Sequence, residues 1–232
     1  LQNGLGKKEK LTKSLRSKQV AQGVTSLGAN MVEPGIVRHA GKGKVFVGES
    51  ASNRSLIDQF AKFVNASGLE TEIVENVDGL IWGKLAVNAG INPLTALLRV
   101  PNGFLAENDL ARSLMYNAAE ETAAVAKSLD IELPYPSAGR RAIEVARHTA
   151  QNHSSMLQDI LRNAQTEIDA ICGEVVRHGQ RADIPTPINE EFLRLFSRHS
   201  DTNSANNLSS KIDSLDKLLS QHRQSVAKVT NK

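Results

Sequence analysis

Three polar side chains stand four residues apart, Lys84, Asn88 and Asn92, within Leu80-Ile81-Trp82-Gly83-Lys84-Leu85-Ala86-Val87-Asn88-Ala89-Gly90-Ile91-Asn92, whose other residues are apolar or small. On an α-helix a step of four residues drifts by only about 40°, so all three share one narrow face. The plain alternative is a solvent face. Such a face is usually made of Glu, Lys, Arg or Gln, whereas asparagine twice in mid-helix costs propensity because its amide competes for the backbone. A buried amide must also find partners. A lysine in this place can protonate an oxygen that is gaining negative charge. Asparagine amides donate and accept, which suits the hydroxyls and carboxylates of a small polar molecule. No hydroxyl nucleophile and no histidine base share the face. Carbonyl reduction fits best: hydride arrives at carbon, and the oxyanion takes a proton from the ammonium.

The elements that must position these groups follow from patterning. The run 78–98 is apolar on nearly all sides, the mark of a helix buried in a core. Gly83 and Gly90 weaken it or admit close approach by a ligand or another backbone, and Asn92-Pro93 is expected to kink it or end its first part. Further helices are expected over 109–129, 138–150, 155–178 (ended by Gly179) and 189–196. Pro101-Asn102-Gly103 has the form of a turn. Ahead of the long helix, 19–26, 36–40, 44–48 and 71–74 have strand character, and 55–66 has helical spacing. Gly41 and Gly43 between two of the strands suggest that 36–40 and 44–48 form a hairpin. The expected fold class is therefore an α/β piece followed by an all-α piece. The divisions are 1–75, 76–199 and a polar tail 200–232, where Leu208, Ile212, Leu215, Leu218 and Leu219 allow one amphipathic helix.

Bulk properties exclude other classes. The 232 residues are 40% hydrophobic and 23% charged, with a net charge of +3. The basic residues concentrate in 7–18 and the tail, and aromatics make up only 4%, so a nucleic-acid footprint with stacking platforms is not expected. One cysteine, Cys172, excludes an intramolecular disulfide and any multi-cysteine metal site, and its apolar neighbours point to a buried structural thiol. No apolar run of 18 residues suggests a membrane span. His39 and His153 lack metal-ligand companions at useful spacing, so no metal is expected. A reducing setting, cytosolic or organelle-matrix, is the default.

With these residues in hand, the chain resembles the ketopantoate reductase (2-dehydropantoate 2-reductase) family. The resemblance is carried by Trp82-Gly83-Lys84-Leu85-Ala86-Val87-Asn88-Ala89-Gly90-Ile91-Asn92-Pro93-Leu94-Thr95-Ala96-Leu97, by Pro101-Asn102-Gly103 and by Asn152-His153-Ser154-Ser155-Met156-Leu157-Gln158-Asp159. Thr166-Glu167-Ile168-Asp169, Ile171-Cys172-Gly173, Leu1-Gln2-Asn3-Gly4 and Gly35-Ile36-Val37-Arg38-His39 agree in order. It implies the C-terminal part of a Rossmann-type domain, then a helical domain of the 6-phosphogluconate-dehydrogenase type. It also implies NADPH-dependent reduction of 2-dehydropantoate to pantoate. Residue by residue, it implies Lys84 as general acid. Asn88, Asn92 and Asn102 would hold the substrate's hydroxyl and carboxylate groups, with Ser155 as a further contact. Asn3 would sit where cofactor and substrate meet. Ala29 would touch the cofactor through its backbone, and Glu167 would reach its nicotinamide side near Lys84. A small 2-oxo acid, no nucleic acid, no membrane and a homodimer are the partners implied.

Two of these positions also read independently. Ser155-Met156-Leu157-Gln158 has the form of a capping box, so Ser155 is expected to cap its helix, a place that also suits a carboxylate. Glu167 is expected at the edge of an apolar arc of Ile160, Ala164, Ile168 and Ile171, where a carboxylate needs a partner such as a lysine.

The family's glycine-rich loop, G-x-G-x-x-G, does not occur in these residues, and Gly4-x-Gly6 does not replace it. The expectation is a chain that lacks the N-terminal nucleotide-binding part. Two further readings stay open: a non-catalytic binding or dimerisation protein, and a reductase of another branched 2-oxo acid.

Overall fold

The structure, a computed structural model, describes residues 3–15, 20–49, 53–199, 216–217 and 220. The hydrophobic positions expected to line a tail helix, Leu208, Ile212, Leu215, Leu218 and Leu219, lie outside the described residues. Two compact units are present, Leu1–Ile81 and Trp82–Lys232.

In the first unit a short helix α1 (Lys7–Thr12) precedes strands β1 (Gly23–Thr25), β2 (Gly28–Glu33), β3 (Ile36–Gly41) and β4 (Val45–Gly48), helix α2 (Arg54–Ala66) and strand β5 (Thr71–Val74). One sheet has the order β1-β4-β5, with β1 antiparallel and β5 parallel to β4. A parallel pair needs a crossover, and α2 supplies it. Val45, Val47 and Ile57 form its core, with Leu27 and Ile73 packed against them. Asn65 closes the crossover: its Oδ1 accepts from Thr71 N at 2.9 Å, and its Nδ2 donates to Thr71 O at 3.0 Å.

The hairpin is not the expected one. β3 pairs with β2, in register Met31 to Val37 and Asn30 to Arg38, while β4 turns away to β1 and β5. Pro34-Gly35 makes the turn, with Gly35 at φ +85°, a conformation that favours glycine after proline. That signal outranks Gly41 and Gly43. Of these, Gly43 serves close approach, since a Cβ there would stand 2.4 Å from Ser26 Oγ. The strand expected over 19–26 is confined to β1 among the described residues.

α3 (Val77–Leu98) continues through Pro93, so the helix does not end there as one of the two expected outcomes had it. It stops at Arg99, whose φ of +56° is left-handed. In the second unit follow α4 (Asn102–Glu107), α5 (Asp109–Ser128), α6 (Ala138–His148), α7 (Ser155–Leu161), a π-helical turn (Asp169–Gly173), α8 (Glu174–Ala182) and α9 (Pro187–His199). The core lies between these helices and is built from Leu94, Leu105, Leu114, Met115, Leu157, Ile188 and Phe192. Gly83 and Gly90 of α3 answer to protein neighbours. A Cβ at Gly90 would stand 2.7 Å from the Met115 carbonyl of α5, and one at Gly83 would stand 2.9 Å from Pro134 Cδ.

Two helical expectations fail here. Residues 101–103 are not a free turn: Asn102 opens α4, with Pro101 extended before it. The single helix expected over 155–178 is broken after Leu161, where Asn163 takes φ +52°, and resumes only at the π-helical turn. It also passes Gly179 and ends at Ala182, with Asp183 left-handed at φ +56°. Among the described residues no helix is long and apolar enough to cross a membrane, and no group of His, Cys, Asp and Glu is placed to hold a metal.

Candidate active site

From Trp82 to Leu98 every residue of α3 is buried except Lys84, Val87 and Asn88, which are half-buried. None of the three is exposed, so the polar stripe is not an ordinary solvent face. It lines a recess. Asn92, the third member, lies deeper, at 6% exposure, and its Nδ2 donates to Ser155 Oγ at 3.5 Å.

Burial pushes the Lys84 ammonium below its usual range, because desolvation disfavours the charged form; the negative charge of Glu167 acts in the opposite direction. Lys84 and Glu167 therefore share one electrostatic environment despite their separation in sequence. Glu167 reaches it from just before the π-helical turn, whose first backbone bonds, Ala170 N and Ile171 N, close onto the Glu167 carbonyl at 3.0 Å each. The apolar arc expected around Glu167 is not a feature of one helix. Ile160 belongs to α7, Ala164 is exposed, and Ile168 and Ile171 are buried around the π-helical turn.

The base of α3 is fixed from two sides. Tyr135 donates its hydroxyl to the Gly83 carbonyl. Trp82 stands edge-on to His178 of α8, with ring centroids 5.4 Å apart. Further along, Thr95 Oγ1 lies 2.7 Å from Ser154 Oγ and donates to the carbonyls of Ile91 and Asn92 at 3.0 Å each. Ser154, not Ser155, is the cap of α7: its Oγ accepts from Leu157 N at 3.1 Å. The capping-box frame was one residue late, because Ser-Ser offers two registers and only Ser154 has the extended backbone of a cap. That leaves the hydroxyl of the exposed Ser155 to accept from Asn92.

Asn102 is 7% exposed and bracketed by the segment after α6. Its backbone N donates to Asn152 O at 3.0 Å, its Nδ2 donates to Thr149 Oγ1 at 2.8 Å, and Gly103 N donates to Ala150 O at 3.1 Å. The structure thus joins Lys84 with Glu167 and Asn92 with Ser155, with Asn88 on the Lys84 face. Asn3 and Ala29 belong to the first unit. Asn3 is half-buried in the bend before α1, and Ala29 is exposed on β2 opposite His39. Thr149, Tyr135 and Ser154 escaped the sequence reading; their roles come from loops and caps that periodicity does not register.

Residues 76–200 match the family described as "Ketopantoate reductase PanE/ApbA C terminal", and residues 1–52 match "Ketopantoate reductase PanE/ApbA". The chain belongs to the ketopantoate reductase family. Among curated members, the 2-dehydropantoate 2-reductase of Archaeoglobus fulgidus is 37% identical over 196 residues, 84% of this chain and 65% of the relative. That of Pyrococcus horikoshii is 35% identical over 190 residues, 82% of this chain and 62% of the relative. The chain thus spans less than two thirds of either ketopantoate reductase. A 2-dehydropantoate 2-reductase structure from Geobacter metallireducens superposes with a TM-score of 0.79 at 27% identity, covering 86% of this chain and 67% of that one. A D-mandelate dehydrogenase complexed with NADH gives 0.77 at 26% identity, covering 87% and 69%. The fold is that of the family: the C-terminal part of a Rossmann-type domain followed by a helical domain.

Proposed function

We propose that this chain carries the substrate-reducing site of a 2-dehydropantoate 2-reductase, with Lys84 as general acid. The observation that carries the proposal is a lysine half-buried on a largely buried helix, its ammonium held below the usual range by desolvation and opposed in this by the charge of Glu167. The curated relatives' name agrees with carbonyl reduction.

A reduced nicotinamide, when bound, supplies hydride to a carbonyl carbon. Lys84 and Glu167 suit its reactive end, a proton donor beside a carboxylate; Asn3 and the Ala29 backbone are assigned to the cofactor by the family resemblance alone. NADPH is the form proposed. As the carbonyl carbon becomes tetrahedral, charge gathers on its oxygen. Lys84 gives that oxygen a proton and is recharged by solvent, so the balance is one hydride and one proton added across C=O. A depressed pKa makes the ammonium a better acid. Asn88, Asn92 and Ser155 would orient the hydroxyl and carboxylate of the 2-oxo acid, which brings the carbonyl to Lys84 in a reactive pose.

Steady-state turnover of a panel of 2-oxo acids with NADPH and with NADH tests the substrate and the cofactor. 2-Dehydropantoate with NADPH is expected to give the highest kcat/KM, and another acid ahead of it overturns the specific substrate. Lys84→Ala is expected to lower kcat by about 100-fold or more, within the range for loss of a general acid, while the circular-dichroism spectrum stays unchanged. An unchanged kcat removes Lys84 from the chemistry.

A further inference from the structure

We infer that Thr149 is a positioning residue: it locks the Asn102 amide with its nitrogen turned into the protein and its oxygen left as a buried acceptor, which selects a 2-oxo acid bearing a hydroxyl donor. The ligand half of this inference rests on the reductase reading above; the lock itself does not.

The argument is a count of hydrogens. Thr149 Oγ1 lies 2.7 Å from the Val145 carbonyl and 2.8 Å from the Asn102 side-chain amide. A hydroxyl has one hydrogen. Two oxygens at 2.7 Å with no hydrogen between them repel, so the hydrogen lies on the Val145 side. Toward Asn102 the hydroxyl can then only accept, and the amide group facing it must be NH2. Amide orientation is assigned from its network, and here the network leaves one solution. The backbone holds the partners in place: Asn102 N donates to Asn152 O at 3.0 Å, and Asn152 N donates to Thr149 O at 2.8 Å. A Cβ at Gly103 would stand 2.7 Å from Ala150 Cβ, so glycine is what lets α4 come this close to the segment after α6.

The other end of the amide is then fixed too. Asn102 Oδ1 is buried and has no hydrogen-bond partner among the described residues. Such orphaned acceptors are rare in native interiors and call for an explanation. A hydroxyl hydrogen satisfies this oxygen, whereas a carboxylate, acceptor only at neutral pH, opposes it. Asn102 is therefore a hydroxyl-reading position rather than a carboxylate-binding one. The Asn92 amide donates toward Ser155, which leaves carboxylate binding to that pair.

Thr149→Val keeps the shape and removes the hydroxyl; Thr149→Ser keeps the hydroxyl. In the ligand-free protein, NMR of the Asn102 side-chain amide, assigned by its loss in Asn102→Asp, reads the lock. Wild type and Thr149→Ser are expected to show a slowly exchanging amide, and Thr149→Val one exchanging at least about tenfold faster. Equal exchange in all three overturns the lock. The second readout is the kcat/KM ratio of 2-dehydropantoate to 3,3-dimethyl-2-oxobutanoate, which has the same skeleton without the hydroxyl. A site built to bind a hydroxyl rejects the analogue lacking it strongly, so the wild-type ratio is expected to be about 100 or more. It should fall about tenfold in Thr149→Val, chiefly through KM, and be kept in Thr149→Ser. A wild-type ratio near one overturns hydroxyl selection. Turnover of neither acid by wild type defeats the reductase reading instead, and amide exchange still decides the role of Thr149.

Discussion

Lys84 and Glu167 make a prediction with a sign. Desolvation lowers the Lys84 pKa from its ordinary 10.5, and the Glu167 charge raises it again, though by less. On the proposed mechanism reduction needs the ammonium, so activity is lost as pH rises through the Lys84 pKa, which lies below 10.5. Removing the carboxylate removes the opposing effect and leaves desolvation alone. Glu167→Gln is therefore expected to move the alkaline limb of the kcat profile to lower pH. Charge mutations that act by distant repulsion would be screened by salt, but a half-buried pair is screened much less. The shift should thus survive in 0.5 M salt. A limb that stays in place would mean that Glu167 does not face the working form of Lys84. The Lys84 stripe itself was legible in the sequence, because helical spacing alone put its three residues on one face. The burial that depresses its pKa was not, since burial is set by tertiary packing rather than by helical spacing.

At the scale of elements, the two serines at the start of α7 divide two roles that the sequence had assigned to one residue. Ser154 Oγ accepts from Leu157 N and lies beside Thr95, so it caps α7 and ties it to α3. Ser155 is exposed and reaches Asn92. Loss of a cap costs about 1 kcal/mol, and loss of the buried Thr95 partner adds to that. Ser154→Ala is expected to lower the stability seen in urea titration by about 1–3 kcal/mol. Ser155→Ala should leave stability within about 0.5 kcal/mol and raise KM for the 2-oxo acid. If both serines behave alike in both measurements, the division is wrong. The same region shows why element boundaries were hard to see. The helical pattern of 155–178 persists in sequence across a real break, because Ile160, Ile168 and Ile171 keep apolar spacing while Asn163 turns left-handed and the chain restarts through a π-helical turn. Periodicity reports which residues are apolar. It does not report where the backbone stops being helical.

For the whole molecule, the order of an α/β portion before a helical one was legible from the change of period near residue 76, and the strand at β5 and the helices α2, α3 and α5 stand close to their expected places. What patterning left out are long-range polar ties, and the most consequential is Glu121 in α5. Its carboxylate is buried and receives Ile188 N at 2.9 Å, Asn189 N at 3.0 Å and Asn189 Nδ2 at 2.8 Å, which fastens the start of α9 to the core across 67 and 68 residues of sequence. The three donors favour the charged carboxylate, but burial outweighs them, and the nearby Glu190 charge adds to it, so the pKa is pushed up from 4.5 to about 7. Cys172 faces the same carboxylate, and its thiol is pushed up by burial and by that charge, so it stays neutral through this range. An acid whose folded pKa lies above its unfolded value binds more protons when folded. Its contribution to stability is fully present below about pH 4.5 and is lost as pH rises through about 7. At 1.36 kcal/mol per unit, the loss is on the order of 3 kcal/mol. Glu121→Gln cannot ionise, so it should flatten this slope in urea titrations run between pH 5 and pH 8. A variant with the wild-type slope would assign the pH dependence to other groups. A variant that is flat but weaker throughout would keep Glu121 as the source of the slope and show in addition that a glutamine NH2 cannot accept from the donors at the start of α9.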